Sequence, residues 1–457
     1  MNYLRPIADV SIEHIPNKQR KLYGGIYMIK RLGPSDTYGR NGSITPKQNL
    51  ANFIENAVNK FNEEENKKRM KELEENRKEI RNGTYNSTLY TKTPDTDEED
   101  FCYHKYGWNQ TTVDITEFKG RCFAYSFEKE EHLVQNPILV FQSDELKNIV
   151  NELFSINENI YDNMYDFIYE FIDYIELQIG GQRIDRIHGQ TIKFMQILYN
   201  LDYYFERNNE LLRKEGKFYL PLPIDCIVNQ PMQLVSLMYH TVTIYIKVNW
   251  DKFGISKDKC KAQLKYDSIY LSKKICRILV TNPIEFMIKQ VQYTGQEVLK
   301  NNTEIQKFKL NFYHPSMGIL LYLTTRTSNK TFVNDNEIFE KVTMYHNDIP
   351  LFEGDSDYMR YEGLVQLGCY SNVNNNKCNG FYWLPFIRKE DFTCDTSFRT
   401  YTGYNFGVNG GECINIKLNK SFVSRMNPDF NYNIHICTIN YHPLRIMSGM
   451  AGLAFTK

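Results

Sequence analysis

Short runs in which apolar and β-favouring residues alternate with polar ones, punctuated by Gly, Asn and Pro, constrain this chain more than any other feature. Residues 121–127 and 137–141 open the series, and 174–179, 218–224 and 234–248 continue it. A polar, basic stretch from Asp251 to Ala262 follows and reads as a boundary. A second series begins at 263–271 and passes through 285–293, 306–312, 318–323, 339–345, 380–386 and 413–418 to a terminal run from Ile436. Many short strands with turn signals between them make a sandwich or barrel, and two such series in tandem make two. The 33 Tyr and 28 Phe favour strands over helices as the bulk of the structure. At 457 residues the chain exceeds what one core holds.

Helical pieces interrupt the pattern. From Gln48 to Arg81, and most clearly over 61–80, Glu and Lys fall at helical spacing, Glu64 with Lys68 for example, which reads as a solvated charged helix. Residues 82–100 read as a linker. Leu146, Ile149, Val150, Leu153 and Phe154 mark an amphipathic helix from Asp144 toward Phe167, and Phe194, Ile197, Leu198, Leu201 and Phe205 a second within 190–217. The expected division is an N-terminal extension at 1–100, a first sandwich with helical insertions at 101–255 and a second at 256–457.

Two places carry sharper local predictions. Ile175, Leu177 and Ile179 alternate up to Gly180-Gly181, and Ile184 and Ile187 follow, so a hairpin turns at the two glycines, which permit φ > 0 at both positions. In the terminal run Pro443 offers no N–H to a ladder, so a bend, bulge or edge is expected there.

Lys plus Arg equals Asp plus Glu at 55 each, which supplies no field for nucleic acid or an anionic membrane. The ten Cys contain no CxxC pair and read as small buried hydrophobes. The start, Met1-Asn-Tyr-Leu-Arg-Pro6, lacks a basic-then-apolar pattern, and no apolar run would span a bilayer, so a soluble protein of a reducing compartment is expected. The seven Asn-x-Ser/Thr sites, Asn109 and Asn419 among them, then read as chance products of an Asn-rich chain. His188, His240, His314, His435 and His442 show neither HxH nor HExxH spacing and read as structural. Asp335, Glu337, Asp355 and Asp357 lack EF-hand spacing and read as loop acids. Ser448 lacks a Gly-x-Ser-x-Gly frame, Gly180-Gly181 lacks a phosphate-loop frame, and Asp185 with Arg183 reads as a local pair. No catalytic, cofactor or metal site is assigned.

Six motifs resemble one family in the same order. Glu176-Leu-Gln-Ile-Gly-Gly-Gln-Arg-Ile-Asp185, with Gly180, Gly181, Gln182 and Arg183 inside it, is similar to a signature in the first domain of the major capsid proteins of nucleocytoplasmic large DNA viruses. Tyr219-Leu-Pro-Leu-Pro-Ile224 and Leu234-Val-Ser-Leu-Met-Tyr-His-Thr-Val242, with Tyr239 and His240, resemble a following pair of strands. Ile288–Gly295 and Leu310-Asn-Phe-Tyr-His-Pro315, with His314 and Pro315, resemble the opening of its second domain. The tail from Asn440 through Tyr441, Arg445, Gly449 and Gly452 to Phe455 resembles its C-terminus. The resemblance covers about residues 170 to 457. The family's early Asp-x-x-Leu-Thr-Gly-Asn-Pro and Tyr-Arg-Arg-His segments are missing, and its Asn-Phe-Ser-Arg-Ile-Asp segment stands here as Asn405-Phe-Gly-Val-Asn-Gly410.

The resemblance implies an all-β fold of two tandem eight-stranded jelly rolls. It also implies a homotrimer of pseudo-hexagonal outline that tiles an icosahedral shell, in a virion assembled in host cytoplasm. The partners it implies are further copies of the chain and minor capsid proteins, with any inner membrane reached through other proteins and no direct nucleic acid. The departures also allow a diverged paralogue, a minor capsid component or an assembly scaffold. A carbohydrate-binding jelly roll, with Tyr382-Trp383 as an exposed platform, is the alternative from another class, and an enzyme on the same sandwich is a third.

Overall fold

The computed structural model describes Lys67 and residues 107–454, except 119–121, 157–163, 257–258, 272, 301–304, 326–331, 368–376, 387–402, 408–410 and 427–430. The charged helix expected at 61–80 lies outside the described residues, Lys67 apart, as do the extension at 1–100 and the linker.

Among the described residues ten strands make the first sandwich: β1 (Gly107–Asp114), β2 (Thr116–Phe118), β3 (Cys122–Ser126), β4 (Leu133–Ser143), β5 (Ile172–Ile179), β6 (Gln182–His188), β7 (Lys217–Pro221), β8 (Met232–Gln233), β9 (Val242–Val248) and β10 (Cys260–Tyr270). One sheet runs β1-β10-β4-β7 with β8 beside β4, and the other runs β2-β3-β9-β5-β6. Ten more make the second: β11 (Ile284–Val298), β12 (Ile305–Lys309), β13 (Pro315–Thr325), β14 (Phe339–His346), β15 (Ile349–Asp355), β16 (Tyr382–Pro385), β17 (Tyr404–Asn405), β18 (Glu412–Leu418), β19 (Tyr432–Met447) and β20 (Met450–Leu453). Its sheets run β11-β19-β13-β16, with β17 on β13 and β20 on β19, and β12-β18-β14-β15. With the short additions β2, β8, β17 and β20 set aside, both sandwiches follow the same path, first-eighth-third-sixth in one sheet and second-seventh-fourth-fifth in the other. That is the jelly-roll order, and the fold is a double jelly roll.

The expected division at 255/256 cuts too early. β10 pairs with β1 on one side and β4 on the other, so the run at 263–271 closes the first sandwich instead of opening the second. The polar residues read as a boundary precede a central strand, and only the helix Lys273–Thr281 separates that strand from β11. The helix expected over 190–217 is two, Gly189–Leu198 and Phe205–Glu215, because Asn200 takes φ 55 and breaks the run. The helix from Asp144 ends at Ile156. Leu234–His240 folds as turns, and the strand expected there begins only at Val242.

Sheet β11-β19-β13-β16 is covered on both sides. Leu320, Tyr322, Trp383, Cys437 and Ile439 join the core of the first sandwich, whereas Ile319, Leu321, Leu323, Tyr382, Ile434 and Ile436 fill the second sandwich with β12, β14 and β18. Double coverage explains why Gly318-Ile-Leu-Leu-Tyr-Leu323 is a continuous apolar run. The helix Gly189–Leu198 is the wedge between the halves. Phe194 stacks on Trp383 with centroids 6.1 Å apart, and the Thr191 hydroxyl meets the Tyr322 hydroxyl at 3.1 Å. Tyr382 and Trp383 are 0% and 1% exposed, which removes the proposed sugar platform.

β19 passes through Pro443 without a break in its pairing to β11. On its other side the β13 pairing stops at Asn440 and the β20 pairing starts at Leu444, so Pro443 sits in the gap between two partners where no N–H is called for. The expected irregularity is thus a change of neighbour.

Candidate functional site: the seam between the two sandwiches

The motif residues, scattered over nearly 280 positions in sequence, gather along the line where β6 of the first sandwich meets β11 of the second. β11 is the outer strand of its sheet, so its outward N–H groups need acceptors. Buried carboxylates supply them. Asp185 Oδ1, on β6, accepts the Val291 N–H at 3.1 Å and the Arg186 N–H at 2.9 Å. Asp225 Oδ2, in the short helix Asp225–Val228, accepts the Lys289 N–H at 3.0 Å, while its Oδ1 accepts from the Tyr199 hydroxyl at 2.8 Å. Between them the Gln290 amide donates to the Ile184 carbonyl. Gln290 Oε1 lies 3.0 Å from His442 Nδ1 and accepts from the Asn440 amide at 3.4 Å.

Burial pushes the Asp185 carboxyl up to about 7; the Val291 and Arg186 N–H groups oppose the shift and the charge of Asp225 adds to it. Arg183 is exposed, and Asp185 is turned into the seam, so the local pair expected between them is not made. Glu176 instead forms an ion pair with Arg186.

A second group of motif residues closes the end of the seam. Gly180 and Gly181 take φ 57 and 81, as the hairpin reading requires. Gly180 needs its missing side chain for another reason too: a Cβ there would lie 2.4 Å from Cγ of His240. The His240 ring rests on the Gly180 backbone, and its Nδ1 sits 3.0 Å from the Ala451 carbonyl oxygen and 3.2 Å from the Ala451 nitrogen. Tyr239 N–H donates to the Gly449 carbonyl at 2.9 Å, and Gln182 Oε1 accepts the Leu453 N–H at 3.3 Å. A Cβ on Gly452 would stand 2.9 Å from that Gln182 oxygen, and one on Gly449 the same distance from the Tyr239 ring. The β19–β20 hairpin, turning at Ser448-Gly449 with φ 52 and 78, is therefore fastened to the turn after β5 and to the loop before β9.

The remaining motif residues support this line, and of them Asn440 reaches its centre, through Gln290. His314 takes φ 66 just before Pro315 starts β13, and its ring lies 4.2 Å from that of His442. Asn440 and Tyr441 are buried on β19, and Arg445 makes a two-pronged pair with Glu285 at 2.6 and 2.8 Å. Burial lowers the basicity of His188 and His314. His435 is held at both ring nitrogens, by the Tyr293 hydroxyl and the Thr324 hydroxyl at 2.8 Å each, and stacks on Tyr322 at 4.5 Å. Asp335 and Asp355 accept the N–H groups of Glu337 and Tyr358. Among the described residues no three His, Cys, Asp or Glu side chains gather as a metal site would need, and no described helix is long and apolar enough to cross a membrane.

Asp225 and Thr191 escaped sequence reasoning, and Gln290, inside the motif at 288–295, was given no role of its own. Gln290 left a signal: it continues the apolar face of Phe286 and Ile288, where a polar residue must have a buried partner. Asp225 follows an apolar Pro-Leu-Pro-Ile run with nothing in the local sequence to mark its reach across the seam.

No family model matches the chain. It is 28% identical over 166 residues to the major capsid protein of Paramecium bursaria Chlorella virus 1, a stretch covering 31% of this chain and 38% of that protein. It is 25% identical over 325 residues to the major capsid protein of Pyramimonas orientalis virus, covering 63% of this chain and 76% of that one. The fold superposes on a chain of the quasi-atomic model of the PBCV-1 virus capsid with a TM-score of 0.56 and 18% identity, over 77% of this chain and 97% of the other. Sequence relationship and strand order agree: the chain is related to major capsid proteins of nucleocytoplasmic large DNA viruses and shares the double jelly-roll fold.

Proposed function

We propose that the chain is a shell-building unit: three copies form a pseudo-hexagonal trimer, and trimers tile an icosahedral capsid. The observation that carries this reading is the seam. The residues shared with the family are spent on fixing two sandwiches side by side, which turns one chain into a two-lobed block whose remaining surface is free for copies of itself. Equal numbers of basic and acidic residues let identical blocks approach without a net repulsion. The site residues are structural in this reading, Asp185, Gln182, His240, Gly180 and Gly449 above all.

Assembly in host cytoplasm, contact with minor capsid proteins, and contact with an inner membrane through those proteins belong to the same proposal. Sedimentation of the purified chain with negative-stain imaging tests it: the expected particle is a trimer with three-fold symmetry, and a monomer at every concentration overturns the reading. Abundance in purified virions separates a main shell component, present above all other shell proteins, from a minor component or scaffold.

A further inference from the structure

Six of the fourteen large apolar side chains that stand exposed among the described residues gather where the β19–β20 turn is fastened to the first sandwich: Met238, Tyr239, Tyr270, Val280, Met447 and Met450. They sit on four segments that are tied to one another. The turns before β9 carry Met238 and Tyr239, and the Tyr239 N–H donates to the Gly449 carbonyl, inside the turn that Met447 and Met450 flank as a cross-strand pair. The Ser236 hydroxyl of the same turns donates at 3.1 Å to the Leu279 carbonyl, next to Val280 in the helix Lys273–Thr281. The Val235 N–H donates to the His132 carbonyl, and the His132 ring lies 5.9 Å from that of Tyr270 at the end of β10. Tyr239 is 72% exposed and Met238 57%. Apolar surface concentrated in this way marks a place of contact.

Charge narrows the choice of partner. Lys273, Arg277 and Val280 fall at i, i+4 and i+7, so the helix turns a basic stripe outward while Ile275, Ile278 and Leu279 are buried behind it. Lys129 is exposed and donates to the Met238 carbonyl. Arg183 is exposed next to Gln182, whose side-chain oxygen accepts the Leu453 N–H. Against these four cations stand the exposed Glu128 and Glu130, while Glu285 is paired with Arg445. The chain is neutral in total, yet positive charge is in excess around this apolar cluster. The apolar groups come from four separate segments and offer no row at the fixed spacing that a partner helix or strand would match. A lipid surface asks for less: side chains that reach into the headgroup layer, and cations level with its phosphates.

We propose that this end of the molecule docks directly on an anionic lipid surface. Met238, Tyr239, Met447 and Met450 enter the headgroup layer, and Lys129, Lys273 and Arg277 meet its phosphates. The contact goes beyond the family reading, which reaches a membrane only through other proteins, and it does not depend on self-assembly. Methionine suits the site because its unbranched thioether adapts to a fluid partner. Tyrosine suits it because the ring is apolar while the hydroxyl stays wet.

The test is flotation of the full chain with vesicles of phosphatidylcholine, alone or mixed with phosphatidylserine. The expected result is binding that is much stronger to the mixed vesicles and that falls as salt rises. Each cation at the surface is expected to contribute about fivefold to the partition coefficient, so Lys273→Ala with Arg277→Ala should lower it about 25-fold. Met447→Gln with Met450→Gln should weaken binding while leaving its salt dependence and the melting temperature unchanged, since both side chains already face water. A photoreactive phosphatidylserine analogue in the vesicles should leave its adducts on the peptides holding residues 234–241 and 447–453. Absence of binding to the mixed vesicles, binding that survives both pairs of substitutions, or adducts elsewhere overturns the inference. So does a chain that ignores vesicles but loses another shell protein when the same residues are changed, which gives the face to a protein partner. Trimers that ignore vesicles overturn this contact alone, whereas a monomer that binds them supports it and overturns the trimer.

Discussion

Substituting Gly180 and Gly181 separately by Ala isolates the step that fastens the tail to the first sandwich. Both residues sit at positive φ, 57 and 81, so an added Cβ costs each about 1 kcal/mol of backbone strain. At Gly181 nothing lies within 4 Å of the new atom, and the strain is the whole cost. At Gly180 the new atom falls 2.4, 2.5 and 2.6 Å from three atoms of the His240 ring. The ring must shift, and with it go its contacts to Ala451, an overpacking penalty of about 1–3 kcal/mol more. At roughly 2–4 °C per kcal/mol for a unit of this size, Gly181→Ala should lower the melting temperature by about 3 °C and Gly180→Ala by about 6–12 °C in differential scanning fluorimetry. His240→Ala on its own loses the Ala451 contact, but in the Gly180→Ala background it also removes the clash, so the double variant should be more stable than the sum of the two single losses. Equal losses for the two glycine variants, or strict additivity with His240→Ala, would refute the view that the His240 ring on Gly180 is what fastens the tail.

Three further outcomes follow from the seam and the wedge. Asp185 has its folded pKa raised to about 7 from 3.8, so between about pH 4 and 7 the native state holds the extra proton, and this group's contribution to stability falls by up to about 4 kcal/mol as pH rises through that window. Urea midpoints measured from pH 5 to 8 should show a decline that is shallower in Asp185→Asn. Gln290→Ala strips the Ile184 carbonyl and the Asn440 amide of a partner and should cost about 1–3 kcal/mol, read by the same denaturation. Phe194→Ala removes the ring stacked on Trp383 and should cost about 3–5 kcal/mol, with a single calorimetric transition splitting into two as the halves lose their shared core.

The architecture was legible because strand alternation and turn chemistry are local. The Gly180-Gly181 hairpin follows from residues between Ile175 and Ile187, all close in sequence, and the structure reproduces it. The division between the sandwiches was misplaced for the opposite reason: whether 260–270 opens one unit or closes another is settled by pairing with β1 and β4, far back in sequence, and nothing inside the strand announces it. Tyr382-Trp383 looked like a platform because aromatic residues beside Gly and Pro suit an exposed loop and a buried edge strand equally well, and the matter is decided by the helix Gly189–Leu198 against Trp383 and by the core of the second sandwich around Tyr382. The motif residues were identifiable as a set. That Asp185 serves an N–H of β11 instead of the guanidinium two residues away depends on the register slip at Ile184, which turns the carboxyl inward.

In both sandwiches the last long strand to be made lies in the middle of its sheet: β10 enters between β1 and β4, and β19 between β11 and β13. During synthesis each half must therefore wait with two unjoined strand edges until its keystone emerges, and such edges invite pairing with other nascent chains. A chain is most open to misassembly while it is half made, and a chaperone that shields β11 and β13 until residue 447 has been added would raise the yield of blocks fit to build with.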